Sequence, residues 1–254
     1  MRRPFFPTAA FPFCRSLILT VLFALVAAVP SLQAGKYTYT DDFTGPSKPL
    51  ASRKTAAGFS KWDADSSVTA GDGLLTVDQV HGGSDAFHLQ MPKLGNRGKI
   101  HIVLRCRSSG TKDDSHISFG FVAAPTDDPL TTAALWTIDR SDSFALMYCA
   151  GPGIQNQTVG QSWYGEFPRD TSQETEHVID YDLKTGRITV SIENNGNKKV
   201  LADNVPVNWN GVAGQAVPPQ NLAYFTVSFY QQESADKGAQ AAYVKSIKID
   251  ISDL

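Results

Sequence analysis

The sequence predicts an all-β protein, an antiparallel β-sandwich that follows an N-terminal export signal. Three observations support this prediction. Many short segments alternate between apolar and polar residues, which is typical of half-buried strands. Gly, Asn, Asp and Pro separate these segments, and the clearest helical candidate is residues 127–136. An apolar run close to the N-terminus has the character of a signal peptide rather than of a folded domain.

Residues 1–34 form the predicted signal peptide. Three arginines and no acidic residue make its start basic, and the continuous apolar run 16–29 follows. Ala34 then ends an acceptable cleavage sequence. The run is shorter than the roughly 20 residues that a spanning helix needs, so we expect cleavage and export to a periplasm or to the extracellular space. An uncleaved membrane anchor is the alternative.

The predicted mature domain spans residues 35–254. The signal holds three of the 23 Lys and Arg residues and none of the 25 Asp and Glu residues, so the mature part has a formal charge of −5. Nucleic acids and anionic lipids need a basic surface, and this charge disfavours both as partners. No later segment is long and apolar enough to span a bilayer. The length fits one sizeable β domain.

Two-residue alternation identifies the residues that should be buried. Side chains alternate across a strand, so each segment has one dry face and one wet face, and two sheets pack their dry faces together. The predicted dry faces contain Ile100, Ile102, Leu104 and Cys106; Ile117, Phe119 and Phe121; Ile188, Val190 and Ile192; Phe225, Val227 and Phe229; and Ile247, Ile249 and Ile251. Thr226 and Ser228 are expected to face outward.

Two glycine-containing turns connect three of these strands. Thr185-Gly186 and Asn195-Gly196 lie between alternating segments. Asn-Gly is a strong hairpin signal, because both residues tolerate positive φ angles. Residues 176–202 are therefore predicted to form a three-stranded meander.

The order of motifs along the chain resembles the concanavalin A-like lectin/glucanase superfamily, in its laminin-G-like form. The resemblance covers most of residues 37–252 and rests on the segments YTDDF, FSKWDADSS, AGDGLLTV, IHIVLRCR, ISFGFV, DYDLKTGRITVSIENNG and VKSIKIDI. It implies a jelly roll whose first and last strands pair and whose concave sheet face is often a groove for polysaccharide. Members of that superfamily include lectins, glycoside hydrolases and polysaccharide lyases, so the fold alone does not fix an activity.

The same resemblance implies a structural calcium ion near the edge of the sandwich. Asp41 and Asp42 stand at the first strand, and Asp250 lies in the last. Carboxylate oxygens are ligands that suit Ca²⁺. Acidic residues at strand ends are also ordinary surface residues, and that alternative stays open.

No catalytic residue is predicted. The Glu-x-Asp motif of the glucanase branch is absent from the sequence. The acidic residues Glu174, Glu176, Asp180 and Asp182 have the parity to share one face, but a solvated strand face explains them more simply. Sequence neighbours seldom supply the geometry of a catalytic triad, and this argues against the segment HGGSDAFH, residues 81–88. Its last residue, His88, is expected on an exposed strand face.

Two cysteines, Cys106 and Cys149, remain after signal cleavage. An even pair in an exported chain favours a disulfide between them. Two buried thiols are the alternative, because cysteine also packs as a small hydrophobic residue.

Aromatic rings beside polar residues favour a carbohydrate-binding function. Sugars pack their C–H faces on rings, and their hydroxyls need polar partners, so a mostly apolar groove with a few polar groups suits them. The predicted ligand-binding residues are Trp136, Arg140, Trp163, Tyr164, Glu166, Arg169, Tyr224 and Tyr230. Trp62 and Trp209 are assigned to the core instead.

The predicted function is thus that of a secreted, lectin-like domain that binds a polysaccharide or glycan. A glycoside hydrolase or polysaccharide lyase using the same groove is one alternative. A structural or adhesion domain is another, and the segment around Trp163 and Tyr164 is equally typical of a connecting loop.

Overall fold

The structure is a computed structural model. It describes residues 35–77, 83–96, 98–108, 116–127, 129, 132–140, 144–147, 170, 172–209, 212–231 and 242–252. The contacts within the chain place them in one unit, Ala34–Leu254. The predicted signal peptide lies outside the described residues and stays a prediction. No helix among the described residues has the length and apolar character that crossing a membrane requires.

The described residues form strands and two short 3-10 helices, Leu50–Ser52 and Pro219–Leu222, so the all-β prediction is confirmed. The strands are β1 Lys36–Asp41, β2 Lys48–Pro49, β3 Trp62–Asp63, β4 Val68–Gly71, β5 Leu74–Val77, β6 Gly83–Gln90, β7 Lys99–Arg107, β8 His116–Val122, β9 Ala133–Arg140, β10 Phe144–Met147, β11 Thr175–Asp182, β12 Arg187–Asn194, β13 Asn197–Pro206, β14 Asn208–Trp209, β15 Val212–Ala213, β16 Tyr224–Gln231 and β17 Tyr243–Ser252.

These strands build two antiparallel sheets. The nine-stranded sheet has the order β13-β12-β11-β7-β17-β5-β4-β2, and β1 also pairs with β17. The six-stranded sheet has the order β10-β9-β8-β16-β6-β3. Tyr39 of β1 lies opposite Ile249 of β17, so the first and last described strands pair as expected. The short strands β14 and β15 form a separate ribbon.

The core lies between the two sheets and follows the two-residue alternation. Tyr39, Ile249, Ile102, Ile179 and Val190 are in register across β1, β17, β7, β11 and β12, and all five are buried. Every residue predicted for a dry face is buried, as are Trp62 and Trp209. The alternation therefore predicted correctly which side chains meet between the sheets.

The possible helix over residues 127–136 is replaced by a strand in residues 133–136. Strand β9 begins at Ala133 and pairs with β8, with Leu135 opposite Phe121 and Thr137 opposite Phe119. The local signals were a proline and weak helix formers, and helix propensity is only a weak preference. Pairing with β8 buries apolar side chains and satisfies the backbone, so tertiary context decides the structure here.

The predicted meander of β11, β12 and β13 is confirmed. Asn195 and Gly196 have φ angles of 50° and 77°, the backbone that a tight hairpin turn requires. A Cβ atom at Gly196 would meet nothing within 4 Å, so the glycine serves the backbone conformation rather than close packing.

We expect Gly196→Ala to lower the free energy of unfolding by about 1–2 kcal/mol, because alanine is strained at positive φ. Gly196→Asn is the matched control and should lose less, since asparagine tolerates this conformation better. Urea unfolding of both variants measures the difference. Equal losses would show that something other than the turn backbone sets the stability at this position.

Candidate functional site

The candidate site is the face of the six-stranded sheet that points away from the core, here called the outer face. Asp63, His88, Thr226, Gly120 and Trp136 form one row across this face, from β3 through β6, β16 and β8 to β9. Their neighbours along each strand point into the core, as the alternation requires.

Four of the eight predicted binding residues belong to this face. Tyr224 packs against Trp136, and Tyr230 lies in register with His116 and Arg140. The His116 and Tyr230 rings stack with 4.9 Å between their centroids. The side chain of Arg140 lies outside the described part of the structure.

The other four residues cannot be placed relative to this face. They are Trp163, Tyr164, Glu166 and Arg169, all outside the described residues. Their predicted roles remain predictions.

Trp136 is more buried than its sequence setting suggested. Its exposed fraction is 1%, and Val122, Ala133, Ile138 and Tyr224 pack around it. Its indole N–H has no hydrogen-bond partner in the part of the chain that the structure describes. An unpaired buried donor costs about 1–3 kcal/mol. At 1% exposure, a ligand on the outer face reaches this nitrogen only if the side chains around it move.

The outer face also buries polar side chains that we expected to be exposed. His88 is 5% exposed, and Ser118, Thr226 and Ser228 are buried with it. The prediction that His88 is exposed is therefore wrong, although the alternation correctly predicted that it points away from the core. The backbone N–H of Thr126 donates to His88 Nε2 at 3.3 Å, so the segment after β8 lies over this row.

His88 connects that segment to the sheet. Its Nδ1 lies 2.7 Å from Thr226 Oγ1. Because Nε2 accepts from Thr126, the neutral ring carries its proton on Nδ1 and donates it to Thr226. Burial lowers the pKa of His88, and the carboxylates of Asp63 and Asp127 oppose that shift.

Neutral His88 should make the fold less stable in acid. Since its pKa is lowered on folding, its contribution is fully present above about pH 6.5, the ordinary histidine value, and declines as the pH falls below it. We expect the urea midpoint to fall from pH 7 to pH 5, and to fall less in His88→Gln. His101→Gln is the control, because His101 is a half-exposed histidine beside Asp180. The same decline in His88→Gln as in the wild type would refute the assignment.

The acidic residues of β11 face outward on the nine-stranded sheet, as their even spacing predicts. Asp180 Oδ1 lies 2.8 Å from His101 Nδ1, and Asp182 lies 3.7 Å from Lys99 Nζ. Glu174 and Glu176 lie 3.3 and 3.9 Å from Arg105. These pairs line an open polar groove of 690 Å³ and a smaller one of 230 Å³. The arrangement is that of a charged, solvated sheet face.

The segment HGGSDAFH does not form a triad on one face. Asp85 lies opposite the core residue Phe229, whereas His88 lies on the outer face. The two side chains therefore point to opposite sides of β6.

The three carboxylates considered for calcium do not form one site. Asp41 accepts two hydrogen bonds from Arg53, at 2.8 and 2.5 Å. Asp42 accepts from Thr44. Asp250 lies opposite Thr38, three positions from Asp41 along β1, and accepts from Thr38 and Lys248. Asp41 lies on the buried face of β1 and Asp250 on the outward face of β17, so these residues do not fit a shared calcium ion.

One group of described residues brings metal-binding atoms together. A ligand atom from each of Cys106, Asp139 and His177 lies within 4.8 Å of the other two. The sequence analysis missed this group, because it considered Cys106 only with Cys149. The described residues contain no disulfide, and since Cys149 lies outside them the predicted bridge stays a prediction.

No protein-family model matches the chain, and no curated protein matches it. Solved structures do. Lectin II from Ulex europaeus has a TM-score of 0.51 at 12% identity, over 85% of this chain and 98% of that chain. Lectin UEA-II complexed with galactose has a TM-score of 0.50 at 12% identity, over 85% and 98%. SO2946 from Shewanella oneidensis MR-1, a protein of unknown function, has a TM-score of 0.51 at 8% identity, over 98% and 97%.

These identities establish the fold alone. Legume lectins are concanavalin A-like jelly rolls, so the resemblance stated from the sequence is confirmed at that level. The chain is a lectin-like β-sandwich.

Proposed function

We propose that this protein is an exported lectin that binds a polysaccharide or glycan on the outer face of the six-stranded sheet. The observation that carries the proposal is the set of rings on this face: the half-buried Tyr224 packs against Trp136, and the Tyr230 ring stacks on His116. Binding sites combine apolar rings with a few polar groups at fixed positions, and this face offers both.

The chemistry of the outer face suits a neutral sugar. The half-buried ring of Tyr224 can accept the C–H surface of a sugar, while Ser118, Thr226 and Ser228 lie on the same face as buried, neutral polar residues. The charged residues of the described rows stand at the margins of the face, Asp63 on the edge strand β3 and Arg140 at the end of β9. A ligand that carries hydroxyls rather than charges therefore matches the interior of this face.

The structural neighbours give independent support. UEA-II, a lectin with this fold, is complexed with galactose. At 12% identity the fold alone is shared, so the sugar and the position of its site do not transfer. The ligand class and the sheet face in the proposal come from the residues of this chain.

An enzyme acting on polysaccharide is the second candidate. The acidic residues in and just before β11 do not support an enzyme, because each lies beside a basic residue on the nine-stranded sheet. Release of reducing or unsaturated sugar from a polysaccharide panel would identify a hydrolase or a lyase. Retention on immobilised glycans without turnover identifies a lectin. If neither release nor retention is observed, adhesion to protein is the remaining alternative.

Trp136→Phe tests the indole donor. The variant loses the N–H and part of the indole against which Tyr224 packs, so we expect its retention on an immobilised glycan to fall by about 10-fold. The temperature of unfolding should also fall, because phenylalanine leaves part of the indole's space beside Val122 unfilled. Comparison of Tyr224→Ala with Tyr224→Phe is therefore the cleaner test of recognition. Unchanged retention would remove Trp136 from the site.

Tyr224 tests ring stacking on the same face. Tyr224→Ala should weaken glycan retention by about 10-fold, whereas Tyr224→Phe should keep most of it, because an aromatic contact contributes about 0.5–1.5 kcal/mol. Tyr243→Ala is the matched control, since Tyr243 lies on the nine-stranded sheet and bonds Glu174. An equal loss in the Tyr243 variant would mean that the site lies elsewhere.

A further inference from the structure

A polar cluster lies inside the sandwich, between the two sheets, at the end where β7 finishes and β11 begins. Leu104 pairs with His177 and Cys106 pairs with Thr175, so Cys106 and His177 are diagonal neighbours on the inner face of the nine-stranded sheet. Asp139 comes from β9 of the opposite sheet. The three side chains therefore meet across the core.

The cluster is fully buried. Asp139 and Cys106 are 0% exposed, and His177 is 1% exposed. A buried carboxylate is costly unless charge and hydrogen bonds compensate it, and a thiol and an imidazole beside it add two further ionisable groups. A packing role alone would be met more simply by apolar residues of similar size.

The hydrogen bonds of the cluster fix the orientation of each group. His177 Nε2 lies 2.6 Å from Asp139 Oδ2, and Ser108 Oγ lies 2.5 Å from Asp139 Oδ1. The edge of the Phe119 ring packs against His177 with 5.2 Å between ring centroids. The imidazole is thus held in place by a carboxylate and by a ring.

His177 Nδ1 has no hydrogen-bond partner in the described structure, although it is buried. If Nε2 carries the proton and donates it to Asp139, Nδ1 is left with a lone pair and nothing to accept. Histidines that bind metals have this pattern: one ring N–H donates to a carboxylate, and the other nitrogen binds the ion.

We propose that Cys106 and His177 bind a zinc ion between the two sheets, and that Asp139 holds the imidazole of His177 for it. Thiolate and imidazole are ligands that select zinc, whereas calcium takes hard oxygen ligands, so this donor set does not suit calcium. Asp139 accepts from Nε2 on the far side of the ring, so Cys106 and His177 supply two of the four ligands that zinc takes. This site is independent of the carbohydrate face, which lies on the other side of β9.

The site and the predicted Cys106–Cys149 disulfide exclude each other. Zinc binds a thiolate, and a sulfur in a disulfide has none to offer. The oxidation state of Cys106 in the purified protein therefore distinguishes the two assignments.

Metal binding to the purified protein tests the proposal. After chelation under reducing conditions, we expect the protein to bind one equivalent of zinc and to unfold at a higher temperature with zinc than without it, because an ion that binds only the folded state stabilises it. Cobalt(II) in place of zinc should give a thiolate-to-cobalt charge-transfer band. The band should disappear in Cys106→Ser, and zinc affinity should fall about 10-fold or more in His177→Gln.

The matched controls are the remaining cysteine of the predicted mature domain and an exposed histidine. Cys149→Ser and His101→Gln should both keep the cobalt band and the thermal shift. Circular dichroism checks that each variant is folded, and the wild-type cobalt spectrum tests the proposal even if the Cys106 variant does not fold. Absence of the band in the wild type, its survival in folded Cys106→Ser, or a Cys106–Cys149 bridge in the unreduced protein would overturn the assignment.

Discussion

The register of inward side chains across the nine-stranded sheet is the constraint on which the rest of the structure depends. Tyr39, Ile249, Ile102, Ile179 and Val190 stand in one row on five neighbouring strands. A slip of one residue in any of these strands would turn its whole buried set to the solvent. The pairing of β1 with β17 and the tight turn at Asn195-Gly196 therefore have to agree with this row, and they do.

The core changes character along the strands. On the inner face of the nine-stranded sheet, the rows of side chains are largely apolar as far as the row that contains His177. The next inward-facing row contains Cys106, Thr175 and Asn194. Asn194 Nδ2 donates to Thr175 Oγ1 at 3.3 Å, so part of this polar end is satisfied internally. Polar groups that are buried together weaken a core unless each finds a partner, and this end is where a ligand would add most stability.

Sequence alternation predicted which residues share a face, but not what covers that face. Thr226 was correctly placed on the outer side of β16, yet it is fully buried. Alternation reports the geometry of one strand, whereas burial depends on chain segments that come from elsewhere. The possible helix over residues 127–136 has the same explanation: residues 133–136 form a strand because β8 supplies the pairing for β9. The contact between Asp139 and His177 joins two sheets, and no local pattern encodes it.

Strand β9 connects the two proposed sites. Trp136 and Asp139 are three residues apart, an odd spacing, so their side chains lie on opposite faces of the same strand. β9 is held by β8 on one side and by β10 on the other, and Asp139 adds a contact to the opposite sheet through His177. An ion at that contact would tie β9 to the nine-stranded sheet without touching the outer face. It would therefore stabilise the position of the Trp136 indole while leaving the chemistry of sugar recognition to the outer face itself.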